Sequence, residues 1–227
     1  MARSADVLLA PCEASGEGFD ALLAAHGHAP QRWEPLPPGV AAANVSDPAA
    51  LRPERAGTTL LYAGGLNSVY SMDRYLQAVR DLDERVLLDF VVRPGEAARL
   101  AADLERHGIA VGERVRMVTS ELDHYRPRTD RCLGTILLDS EYARFSFPYK
   151  TVSMIEHGFP ILCFEDMAIA PFVRDHGVGV ACGHTSEEIR AGVESLLRDG
   201  APGMAAARTE QSWDARVAGL RTLLAAG

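Results

Sequence analysis

The chain has a single lysine. Of its 23 basic residues, 22 are arginine, and Lys150 stands alone. Its four cysteines (Cys12, Cys132, Cys163 and Cys182) form no Cys-x-x-Cys pair. They read as small buried apolar residues of a reducing cytoplasm, not as metal or redox ligands. His-x-x-x-His pairs and carboxylate clusters at ligand spacing are also missing, so neither a metal nor another cofactor is expected. No apolar run approaches the roughly 20 residues of a membrane span. The first residues, Met-Ala-Arg-Ser-Ala-Asp, lack the apolar core of a signal peptide. Gly-x-Gly-x-x-Gly, Gly-x-x-x-x-Gly-Lys and Gly-x-Ser-x-Gly are absent, which argues against a dinucleotide fingerprint, an NTPase phosphate loop and a hydrolase elbow. Positive charge is in short supply overall. A net charge of −8 argues against nucleic acid or an anionic membrane as partner.

What is present is a regular alternation of strands and helices. Residues 6–10 form a short strand, and a helix follows from Ala14 to about His26. Residues 28–57 carry Pro30, Pro35, Pro37, Pro38, Pro48 and Pro53 with little periodicity, and read as an extended linker. From Thr58 six strands are expected, at 58–63, 86–92, 114–119, 132–138, 160–164 and 178–181. Helices are expected at 72–82 with Ser71 as N-cap, 96–107, 122–125, 149–156, 167–176, 186–198 with Ser186 as N-cap, and 204–224. Near-continuous apolar strands such as Val86–Val92 suit a parallel sheet covered on both faces. The fold class is therefore α/β, a doubly wound, Rossmann-like parallel sheet.

The stretch 141–164 organises the rest. A polar loop, Glu141 to Phe147, leads to Pro148 at the expected first helical position. A helix follows to Glu156, then Gly158 and the strand Pro160–Phe164. Its N-terminus faces the carboxyl edge of the sheet, where open α/β sheets bind ligands and helix N-termini bind anions. Lys150 falls in the first turn, the wrong end of the helix dipole for a cation. A lysine there makes sense if an anion shares the site. His157 and His176 read as helix C-terminal caps.

These motifs together resemble a GT-B glycosyltransferase of the retaining group 1, family 4-like kind. Ala5–Pro11 and Pro35–Val40 resemble the end of the acceptor domain and its Pro-Gly-Val turn. Leu60–Leu66 resembles the first donor-domain strand and glycine loop. Phe147-Pro148-Tyr149-Lys150, with Gly158–Ile161 after it, resembles the signature helix and following strand. Gly177–Val180 and the helix from Ser186 resemble what comes next. The resemblance implies residues 1–27 as the tail of an N-terminal acceptor domain and 28–57 as linker. It implies 58–203 as a nucleotide-sugar-binding domain and 204–227 as a cross-over helix. A separate N-terminal domain would complete the cleft, and a second copy of the chain is a candidate partner for the last helix.

What the family implies is transfer of a sugar from a nucleotide-diphosphate donor, without a bound metal. The leaving diphosphate needs cations and free N–H groups. Candidates are Gly64, Gly65 and Asn67 of the glycine loop, Arg93 after the second sheet strand, and Arg144, Ser146, Phe147, Pro148, Tyr149 and Lys150. The base would lie near Ser120 and Glu121, and Ser153 would meet a ribose hydroxyl. No catalytic residue is assigned. The sequence also departs from the pattern. Gly65-Leu66-Asn67-Ser68-Val69-Tyr70 has no cation pair, and Phe145 and Ser153 stand where two glutamates are usual. Glu141 lies four residues too early and Glu156 three too late. Either Lys150 and Arg144 compensate, or the donor differs, or the chain is a non-catalytic module that binds a nucleotide or a protein.

Overall fold

The computed structural model describes residues 7–29, 32–41, 57–66, 71–118 and 132–225. The chain begins with strand β1 (Leu8–Ala10), helix α1 (Glu13–Ala25) and strand β2 (Trp33–Pro35). β1 and β2 pair in parallel as a two-stranded sheet of their own. The segment read as linker therefore contains a strand. Three residues with a proline at the end carry no period-2 signal, so only the partner β1 reveals it.

The main body follows as β3 (Thr58–Ala63), α2 (Asp73–Arg80), β4 (Val86–Val91), α3 (Ala97–Arg106), β5 (Val115–Val118), β6 (Cys132–Ile136), α4 (Lys150–His157), β7 (Ile161–Phe164), α5 (Ala170–Asp175), β8 (Gly179–Cys182) and α6 (Ser186–Asp199). All six expected strands join one parallel sheet, in the order β5-β4-β3-β6-β7-β8. The chain starts in the middle at β3, winds outward to β5, then returns to β6 on the other side. Strand order reverses between β3 and β6, so the crevice outside their carboxyl ends is the natural ligand position. The expected helix 122–125 lies outside the described residues.

Burial on both faces explains the apolar strands. Leu60, Leu61, Leu88, Phe90, Ile136, Ile161 and Leu162 are fully buried. Tyr62, Tyr75 and Phe90 form an aromatic cluster with ring centroids 6.0–6.5 Å apart. Gly134 in β6 has the Met154 side chain where a Cβ would stand, which brings α4 close onto the sheet. One charge interrupts the core. Asp89 is fully buried in β4 and faces Arg116 of β5 across the ladder. Arg116 Nε and Nη2 donate to its two oxygens at 3.0 and 2.6 Å.

Helix ends correct three expectations. Tyr149 is the N-cap of α4, so Pro148 precedes the cap and its carbonyl accepts the Thr151 N–H at 2.9 Å. Met72 caps α2, although Ser71 Oγ still accepts the Asp73 N–H at 3.1 Å. Thr185, not Ser186, caps α6, in a reciprocal box with Glu188. Replacing Thr185 by alanine should lower stability by about 0.5–2 kcal/mol, read from urea unfolding.

The expected last helix is two, α7 (Met204–Glu210) and α8 (Trp213–Ala225). The break is imposed from outside. Val40 donates its N–H to the Gln211 carbonyl at 2.7 Å, and its own carbonyl accepts the Trp213 N–H at 3.1 Å. Gly39 leaves room for the Trp213 ring. Glu156 has a structural use nearby, accepting the Ala41 N–H at 2.9 Å. His157 Nδ1 lies 2.7 Å from the Ser153 carbonyl, and Arg208 Nε donates to Ile155 O at 3.0 Å, so side-chain donors gather at the α4 carboxyl end. His176 is the C-cap residue of α5. The four cysteines are buried and reduced. Burial pushes the Cys163 and Cys182 thiols up to about 12.

Candidate functional site

The site forms where β3 and β6 end side by side. Ala63 hands over to Gly64, whose φ of +152° a side chain rarely adopts. A Cβ on Gly64 would stand 3.2 Å from Lys150 Nζ, so the glycine lets the loop and the lysine meet. Lys150 is half-buried in the first turn of α4. Its ammonium lies 4.5 Å from the centroid of the Tyr62 ring, over the ring face. Among the described residues no carboxylate pairs with it, and burial lowers its pKa from 10.5 to about 7. A cation held by an aromatic face, and not by a carboxylate, is held ready for an anion.

The helix start adds donors. The N–H groups of Phe147, Tyr149 and Lys150 meet no backbone acceptor among the described residues. Ser146 Oγ and Thr151 Oγ1 are buried without a hydrogen-bond partner among the described residues. These two buried hydroxyls lie in sequence on either side of the helix start. Ser153 lies one turn beyond Lys150 and is half-buried.

The glycine loop offers less than expected. Gly64 spends its N–H on the Val91 carbonyl at 3.1 Å. Leu66 gives its N–H to Glu96 Oε1 at 2.9 Å, while Arg99 Nη1 donates to the Leu66 carbonyl at 2.8 Å. Tyr62 OH donates to the Gly65 carbonyl at 3.0 Å. The loop is clamped by α3 and the turn before it, which leaves the Gly64 and Leu66 N–H groups engaged. Glu96 and Arg99 escaped sequence reading, because a contact across about 30 residues leaves no local pattern.

Other candidates are divided. Arg93 is exposed after β4, at the same edge. Arg144 is engaged by carboxylates, Glu141 at 2.9 Å and Asp166 at 3.4 Å, so its charge is largely spent. Phe147 packs edge-on against Phe172 at 5.1 Å, and Tyr149 is exposed. Asn67, Ser120 and Glu121 lie outside the described residues. A charged chain was also missed. His184 stacks on Phe164, its Nε2 lies 3.0 Å from Asp166, and Arg74 Nη1 reaches its Nδ1 at 3.0 Å. Since Arg74 can only donate, Nδ1 accepts and Nε2 carries the proton. Arg74 also pairs with Asp139 at 3.0 Å. Among the described residues no group of three or more His, Cys, Asp or Glu side chains could hold a metal ion. No helix there is long and apolar enough to cross a membrane.

No family model matches the chain, and no curated protein matches it in sequence. Solved structures do match in fold. HepE from Anabaena, solved in complex with UDP-glucose, superposes with a TM-score of 0.75 at 14% identity over 99% of this chain and 65% of its own. The lipopolysaccharide outer core galactosyltransferase WaaB gives 0.69 at 15% identity, over 98% of this chain and 62% of its own. Sucrose-phosphate synthase from Thermosynechococcus elongatus gives 0.69 at 16%, over 99% and 60%. This chain thus spans less than two thirds of each. At such identities the likeness is one of fold, and the fold is that of the GT-B glycosyltransferases.

Proposed function

We propose that the chain is the donor-binding part of a sugar-nucleotide glycosyltransferase, with the diphosphate bound at the start of α4. Lys150 carries this reading. It is the one lysine of the chain, set without a carboxylate partner among the described residues at a helix N-terminus, against Gly64. An ammonium, free N–H groups and buried hydroxyls belong to that stretch, the chemistry a leaving diphosphate requires. The fold relative HepE was crystallised with UDP and UDP-glucose, which favours a uridine donor. In this reading residues 58–203 hold the donor and 1–27 end an acceptor domain. Residues 28–57 connect the two, and 204–227 cross back. The acceptor domain supplies the opposite wall of the cleft.

Calorimetric titration with UDP, GDP and their sugar conjugates tests this. Saturable binding is expected, weakened at least about tenfold in Lys150→Ala, since about 1.4 kcal/mol is typical of one charged hydrogen bond. A second reading is a nucleotide-binding module without catalysis. The Glu96 carboxylate on the Leu66 N–H and the ion-paired Arg144 favour it. Tight nucleotide binding with no discrimination between UDP and UDP-sugar would support that alternative.

A further inference from the structure

One side chain touches both halves of the site. Tyr62, near the end of β3, is 1% exposed. Across the ladder it stands opposite Phe90 of β4 and Thr135 of β6, so the three share one face of the sheet. On that face its ring packs against Tyr75 and Phe90, with centroids 6.5 and 6.1 Å away. Helix α4 lies on the other face, since Met154 fills the space at Gly134, one residue before Thr135. Lys150 therefore reaches over the carboxyl edge of the sheet to bring its ammonium to 4.5 Å from the Tyr62 ring centroid.

The hydroxyl serves the loop. It donates to the Gly65 carbonyl at 3.0 Å, and it would lie 3.8 Å from a Cβ on Gly64. A phenylalanine would fill the same apolar space beside Tyr75 and Phe90. What tyrosine adds is a polar tip, and a buried tyrosine hydroxyl needs a partner. That partner is the loop that Lys150 also meets. The ring face attracts one side of the ammonium and leaves its other N–H donors for a ligand. A free lysine side chain would lose rotamer freedom on meeting an anion. Tyr62 limits that freedom before the ligand arrives.

We propose that Tyr62 is a positioning residue of this site, its ring placing the Lys150 ammonium and its hydroxyl placing the glycine loop. That the ligand is a nucleoside diphosphate rests on the function proposed above. The placement itself does not. Tyr62 acts through Lys150 and Gly65 and needs no contact with the ligand. Ring and hydroxyl are separable by substitution, because Tyr62→Phe keeps the first and loses the second.

NMR on the full chain carrying isotope-labelled lysine tests this. The single lysine gives a single set of side-chain signals. In the parent its ε-methylene protons should lie upfield of an exposed lysine's and show a nuclear Overhauser contact to a tyrosine ring. Tyr62→Phe should keep the upfield shift, and Tyr62→Leu should abolish it. Calorimetry with UDP supplies the second readout. Tyr62→Phe should bind UDP about two- to fivefold more weakly than the parent, the loss of one hydrogen bond to the loop. Tyr62→Leu should bind about threefold more weakly again, the loss of one cation–π contact. In the Lys150→Ala background the two variants should bind alike, because the ring then has no ammonium to place. A role in packing alone would separate them in both backgrounds. Equal separation in both backgrounds, or parent lysine protons at the exposed-lysine position, would overturn the inference. The parent spectrum decides without any variant having to fold. The two readings fail separately. UDP binding that Lys150→Ala weakens and both Tyr62 variants leave untouched would remove this inference and keep the donor site. UDP binding indifferent to Lys150→Ala, with an upfield signal that Tyr62→Leu abolishes, would remove the donor assignment and leave the placement of Lys150 standing.

Discussion

Arg116→Ala should destabilise the protein by about 3 kcal/mol, the low end of the cost of removing one member of a buried ion pair, because the guanidinium is itself about a third exposed. Asp89 is fully buried in the middle of β4, and Arg116 gives it two charge-assisted bonds from the neighbouring strand. Removing the guanidinium takes both of those bonds from a carboxylate in the interior layer of the sheet. Urea unfolding reads the effect as a lower midpoint with an unchanged slope. The pair itself need not be stabilising. Replacing both members by apolar residues of similar volume, Asp89→Leu with Arg116→Met, should leave stability near that of the parent or above it. An Arg116→Ala midpoint equal to the parent's would show that other groups hold Asp89.

Affinity for a nucleoside diphosphate should fall about fivefold between pH 7 and pH 9, as the roughly tenfold carried by the Lys150 ammonium is lost, because that lysine titrates near 7 when empty. Above that value the charged fraction drops tenfold per pH unit. The terminal phosphate, with a second pKa of about 6, has already ionised and does not mask the trend. Stability of the empty protein should move the other way. The folded-state pKa lies below the ordinary value, so between pH 7 and about 10.5 the unfolded chain binds a proton that the native chain does not. Unfolding is then less favourable as pH rises through that window. Lys150→Met should flatten both curves. Calorimetry across pH measures the first and thermal unfolding the second, and affinity that stays level from pH 7 to 9 would remove the ammonium from the diphosphate.

The sheet was legible because its strands are short apolar runs bounded by Gly, Pro and polar turns, as at Thr58–Ala63 and Ile161–Phe164. Strand β2 was not, since Trp33-Glu34-Pro35 has strand geometry only through β1. The break between α7 and α8 was hidden for the same reason. Helical periodicity runs through Gln211, and Val40 interrupts it from 171 positions away. In the site, Lys150 was visible by its rarity. Glu96, Arg99 and His184 were not, because each acts through a partner distant in sequence. Arg144 looked like a free cation, and its carboxylate partner Asp166 lies beyond β7.

The backbone of Val40 makes mechanical order differ from chain order. Buried at 1% exposure, it is held through its N–H and C=O by residues on either side of the gap between α7 and α8. The start of the chain is thus strapped to its end, while the sheet between them is fastened mainly to itself. A force that displaced α1 and its two strands would load Trp213 and Phe145, and not β3. Residues 36–41 and 211–213 together act as one tether, and cutting the chain after Glu210 would leave the front of the molecule held only by the Ala41–Glu156 bond and the contacts of Cys12 and Ser15 with Phe145.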